Sequence, residues 1–313
     1  MKFAPGIALG MAMVLVTMVC VAQAAPPQTS APSEPALELV KQGRKLNSEG
    51  KQDEALKLYQ QALEKNPNLY EAHLESGMAL DLKGDYAEAR KHLEKAIDLA
   101  SPEQKNRALR VMGVSYAFER KAKEAEKYHK QAFDSALAKN DFEGAAGVAN
   151  ELARIMLESG DIDGADKWYR LGYKTALRKP DMKDTDKALW KFRFEHAQAR
   201  IAARRGNKAK VQEDVAAAKT ALEKANNPQQ AEFLPYLTGY VAYYGGDYKN
   251  AIADLEKANQ QDPFILMMLA QAHEKAGDAV KAKEYWQKVM ANNSHSPVNA
   301  FARPEAVKKL KAS

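Results

Sequence analysis

The chain has 313 residues, a formal net charge of +6, 45% apolar and 28% charged side chains, and one cysteine, Cys20. Cys20 falls in an N-terminal stretch that precedes the fold, so the folded part carries no disulfide and no thiolate chemistry. The modest basic excess suits acidic partners or membrane surfaces without requiring either, and it is too small to mark a nucleic-acid-binding surface.

Residues 1–24 read as a secretory signal: Met1, Lys2, a largely apolar run from Gly6 to Val21, then Ala22-Gln23-Ala24. The run is short for a bilayer span, which needs roughly 20 residues, and small residues at its end fit cleavage. The stretch before Cys20 lacks a lipoprotein pattern. Cleavage after Ala24 is expected to leave a periplasmic or secreted chain without a stable membrane span. A long helical stack needs no disulfide staples there, so the lack of cysteine does not oppose export. Residues 25–36, with Pro26, Pro27, Pro32 and Pro35, are expected to form an extended linker.

From Leu37 onward the apolar spacing is helical almost throughout, with no strand-like alternation and with turn signals at helix-pair intervals. All-α is the class that fits. Four small residues recur 34 positions apart: Gly43 and Gly77, Gly50 and Gly84, Ala55 and Ala89, Ala62 and Ala96. A small residue inside each first helix lets the second approach closely, and a glycine between the two helices suits a left-handed cap. The third unit contains Leu109-x-x-Met112-Gly113-x-x-Tyr116, followed by Ala125 and Ala132, but has Arg120 at the turn. Later turns fall at Gly160, Gly206, Gly246 and Gly277, so the steps from Gly50 are 34, 36, 40, 46, 40 and 31 residues. Regular units at both ends thus enclose a stretched middle, where insertions in units four and five leave the helix pairing open.

These residues resemble the tetratricopeptide repeat pattern, closely in units one, two, three, six and seven, and the tail resembles those of exported bacterial repeat proteins of uncharacterised function. The resemblance implies a right-handed superhelical solenoid of about seven helix pairs over residues 37–291, with residues 292–313 as a C-terminal cap. Pro297 and Pro304 are expected to bracket a loop, and Glu305 to Leu310 to form a short helix closing the last unit.

No phosphate loop, no His-Glu-x-x-His and no nucleophile elbow occurs, so the chain reads as a non-enzyme with no cofactor and no metal. His129 sits one repeat on from Tyr59 and Leu93 and is expected to pack between helices, while His73 and His92 lack a third ligand. Two stripes remain. Arg193, His196, Arg200 and Arg204 put four potential cations on one helical face, and Tyr236, Tyr240, Tyr243 and Tyr244, with Phe233 one turn earlier, form an aromatic neighbour. Their plain alternatives are a solvated charged face and inter-helix packing.

The resemblance implies that ligands lie in the concave groove lined by first helices, which both stripes would face. Arginine clamps carboxylates with two parallel bonds and tyrosine adds broad apolar area with a hydroxyl, so an extended acidic peptide suits them. Arg44, Arg107, Arg110, Asn150 and Arg154 line the upstream groove less distinctively. The chaperone-tail clamp of some family members does not transfer, because Val40, Arg44 and Glu75 stand at its positions. The expected function is a non-catalytic scaffold of the bacterial cell envelope that binds a protein or peptide in this groove. The alternative is a solenoid that binds peptidoglycan or an anionic glycan.

Overall fold

In the computed structural model the described residues are Met1 and 34–312, so the expected signal apart from Met1, and most of the linker, lie outside them. The helical array belongs to the unit Pro32–Ser313. Among the described residues there are fifteen α-helices and no strand. The first six are α1 (Glu34–Ser48), α2 (Gln52–Lys65), α3 (Tyr70–Lys83), α4 (Tyr86–Leu99), α5 (Lys105–Ala117) and α6 (Ala122–Ala138). The lengthened middle follows as α7 (Phe142–Ser159), α8 (Ile162–Ala176), α9 (Asp184–Arg204) and α10 (Lys208–Ala225). The array ends with α11 (Phe233–Tyr244), α12 (Tyr248–Leu255), α13 (Pro263–Lys275), α14 (Ala279–Met290) and α15 (Pro297–Ala312).

Each odd-numbered helix from α1 to α13 packs on the helix that follows it, which makes seven pairs. The pairing in units four and five is therefore α7 with α8 and α9 with α10. Their long steps come from longer helices, 18, 21 and 18 residues in α7, α9 and α10 against 14 in α2, α3 and α4. The first helix begins at Glu34, inside the stretch expected to be extended. Pro35 does not prevent this, because a proline in the first turn removes an N–H that has no helical partner.

The turn within every pair contains a left-handed residue: Gly50, Gly84, Gly160, Gly206, Gly246, Gly277 and, in the third unit, Arg120 at φ 57°. After four of the glycines, Asp161, Asn207, Asp247 and Asp278 cap the next helix by accepting a backbone N–H three residues on. Inside the pairs, Gly43 lies against Tyr59, Gly77 against Leu93, Gly113 against His129 and Gly239 against Leu255. A Cβ at Gly113 would overlap the His129 ring, so the close approach there requires glycine. His129 is fully buried and accounts for the large residue at this register position.

The C-terminal segment departs from expectation. Its helix runs from Pro297 to Ala312 with Pro304 inside it, instead of a loop followed by a short helix at 305–310. Pro304 cannot donate to the Ala300 carbonyl, yet the helix continues because tertiary packing fixes it. Phe301, Ala302 and Ala306 are buried, and Arg303 Nε donates to the Leu82 carbonyl at 2.8 Å. The helix packs on α13 and α14, as a cap would, but also on the first helices α5 and α7. Asn293 accepts from Gln52 at 3.1 Å and His295 Nε2 lies 2.8 Å from Asp81, so the end of the array meets its beginning. Arg120 links α15 to α7: it donates to the Glu158 carbonyl at 2.8 Å, pairs with Glu305 and lies over the Phe301 ring. Those contacts offset the strain of a non-glycine left-handed turn.

Candidate functional site

The first helices α7, α9 and α11 bring Arg154, Arg200 and Tyr236 around a cavity of about 420 Å³. Tyr169 of α8 and the first residues of α15, Pro297 and Val298, complete the wall. Of the residues expected on the two stripes, Arg193, His196, Arg200, Phe233 and Tyr236 line this cavity. Arg193 and Phe233 are exposed at its rim, where the Arg193 guanidinium lies 4.8 Å from the Trp190 ring centroid.

The stripes are not uniform. His196 is not a cation: burial, then the charge of Arg200, pushes its pKa well below the ordinary value, and Nε2–H donates to the Phe233 carbonyl at 3.2 Å. Tyr240 has no exposed surface and is therefore a packing residue, not a ligand contact. Its hydroxyl donates to Glu158 Oε1 at 3.4 Å, and burial followed by Glu158 raises its pKa, so it stays neutral. Arg204 points away from the cavity and spans Glu158 at 3.3 Å and the Tyr240 and Tyr244 hydroxyls at 3.4 Å. Tyr244 is exposed but packs on Tyr240 and Tyr243, while Tyr243 stacks edge-on with Tyr248. Five of the nine expected residues thus line the cavity, and Arg204, Tyr240, Tyr243 and Tyr244 form a network beside it.

Glu158 organises that network, and nothing in its local sequence signals this. Its carboxylate is almost fully buried, faces Arg204 and Tyr240, and lies 3.9 Å from Arg200 Nη1. Its backbone carbonyl accepts from Arg120. Arg200, 4% exposed, donates through Nη2 to Tyr169 Oη at 3.0 Å, which leaves Nε and Nη1 without a hydrogen-bond partner.

Upstream cations meet acids. Arg44 and Arg107 both reach Glu75, at 2.8 and 3.4 Å, and Arg110 pairs with Glu151. His129 Nε2 lies 3.0 Å from the same Glu151. Burial opposes ionisation of Glu151, but the His129 hydrogen bond and charge with Arg110 outweigh it and lower the pKa to about 2. His73 and His92 face each other with Nδ1 atoms 3.1 Å apart, and burial lowers both pKa values. Among the described residues no group of three or more His, Cys, Asp and Glu side chains could hold a metal ion. No described helix is long and apolar enough to cross a membrane.

The tetratricopeptide repeat family model matches residues 40–103 and 236–297. A search of the curated proteins finds no match. Among solved structures, the apo form of RapI is similar with a TM-score of 0.55 and 11% identity, over 89% of this chain and 99% of that one. A tetratricopeptide repeat protein from Parabacteroides merdae aligns with a TM-score of 0.50 and 13% identity, over 88% and 98%. A Rap protein complexed with competence and sporulation factor aligns with a TM-score of 0.52 and 11% identity, over 91% and 78%. Such identities speak for the fold alone. Matched tetratricopeptide repeats thus stand at both ends of an array of seven successive helix pairs.

Proposed function

We propose that this chain is a non-catalytic interaction scaffold of the bacterial cell envelope, holding a partner protein or an extended, acidic peptide against the inner face of its middle repeats. The observation that carries the reading is the cavity at α7, α9 and α11, where exposed Arg193 and Phe233 form a rim around buried Arg200 and Tyr236. An arginine and an aromatic side chain at the mouth of a recess are the residue types that dominate interface energetics. The signal-like pattern of residues 1–24 supports the envelope as the place of action.

The test is a photo-crosslinking amino acid placed at Phe233 in cells, compared with one at Arg44 on the upstream inner face. A discrete protein adduct at position 233 is expected, and Arg193→Glu should suppress it without altering the helical circular dichroism. Adducts only at position 44, or retention of the purified chain on peptidoglycan with no protein adduct at all, would overturn the reading.

A further inference from the structure

The middle cavity gathers buried hydrogen-bond donors that the protein itself does not use. Arg154 Nε and Nη2, Arg200 Nε and Nη1, and the Tyr236 hydroxyl are all buried without a hydrogen-bond partner. Arg200 and Tyr236 are 4% and 3% exposed. A buried polar group without a partner is costly, and more so when charged, so five such atoms around one recess need an explanation. The neighbouring carboxylates do not provide it. Glu158 is engaged by Arg204 and Tyr240 and stands 3.9 Å from Arg200, and Glu151 is engaged by Arg110 and His129.

The arginines are held in place by their neighbours. Arg154 lies between the Phe264 and Tyr236 rings, 4.7 and 5.4 Å from their centroids, and Arg200 is fixed by its bond to Tyr169. His196, kept neutral and tied to the Phe233 carbonyl, adds no charge of its own. Phe192, Phe233, Pro297 and Val298 supply apolar wall, and the volume of about 420 Å³ falls within the roughly 300–1,000 Å³ of small-ligand sites.

We infer that this cavity binds an oxyanion, a carboxylate or phosphate group carried on a compact apolar or aromatic body, with Arg154 and Arg200 as its charge partners and the Tyr236 hydroxyl as a third donor. The inference deepens the groove reading by naming the chemistry at its innermost point. Small anions test it apart from any protein partner, so its failure leaves the crosslinking result standing.

The experiment is calorimetric titration of the purified chain with phenylphosphate, phenylacetate and neutral benzyl alcohol. At least one anion should bind about tenfold or more tightly than the alcohol, as charge-assisted bonds to arginine require. A preference for the phosphate points to a phosphorylated ligand, and a preference for the carboxylate to an organic acid or a chain terminus. Arg154→Gln should weaken the favoured anion about tenfold, and Tyr236→Phe, which removes only the hydroxyl oxygen, about threefold. Anions that bind no better than benzyl alcohol overturn the inference, and so does an anion affinity that Tyr236→Phe and a folded Arg154→Gln both leave unchanged. Should Arg154→Gln fail to fold, the wild-type ranking and Tyr236→Phe decide the matter.

Discussion

The upstream and middle parts of the inner face carry similar residue types and use them differently. In repeats one to three, Arg44 and Arg107 converge on Glu75, and Arg110 reaches Glu151 of the next pair. In repeats four to six, Arg154 and Arg200 surround a cavity with donors left over, while Arg204 takes the nearest carboxylate. A groove arginine whose acid comes from the adjacent helix is part of the scaffold. One that reaches a recess with donors its neighbouring acids leave unbonded is available to a ligand.

Several changes would break or sharpen this contrast. The largest effect is expected from Phe301→Ala, because α15 packs on helices from both regions. It should cost about 3–5 kcal/mol, read from urea unfolding. Glu158→Ala removes the counter-charge shared by Arg200 and Arg204 and should cost about 3 kcal/mol, with the middle repeats losing hydrogen-exchange protection first.

Acid should act next. The folded pKa of Glu151 is about 2, depressed from 4.5, so its stabilising contribution is complete above the unfolded value and disappears as the pH falls from about 4.5 towards 2. His196, also depressed when folded, adds a loss that begins as the pH drops below its ordinary value of 6.5. Urea midpoints at pH 7, 5 and 3 should therefore fall in two stages, and a flat profile would remove the buried, engaged state argued for both groups.

The smallest effect belongs to Arg44→Ala. This side chain is 44% exposed and Glu75 keeps Arg107, so the cost should be about 1 kcal/mol or less, with no change in phenylphosphate affinity.

The helix pairs were legible in the sequence because close packing imposes a local rule. Gly43 and Gly113 must be small where Tyr59 and His129 cross, and the turn residues must tolerate positive φ. Arg120 shows the limit of that rule, since its turn conformation is retained by contacts with Glu158 and with α15, 185 residues away in the case of Glu305. The stripes were legible as faces of helices but not as surfaces. Register placed Tyr236 and Tyr240 together, yet both are buried and only their partners separate them: the Tyr240 hydroxyl is taken by Glu158 of another repeat, and the Tyr236 hydroxyl beside the cavity has no hydrogen-bond partner. The path of α15 along the inner face was hidden for the same reason: Pro304 reads as a helix breaker until Phe301 and Arg303 find their sites.

The most direct test is an NMR titration that follows the arginine Nε–Hε resonances of the full chain as phenylphosphate is added. The account predicts saturable shifts at Arg154 and Arg200 with Arg44 and Arg107 unmoved. Shifts at Arg44 and Arg107 that leave Arg154 and Arg200 unchanged, or no shifts at any of the four, would contradict it.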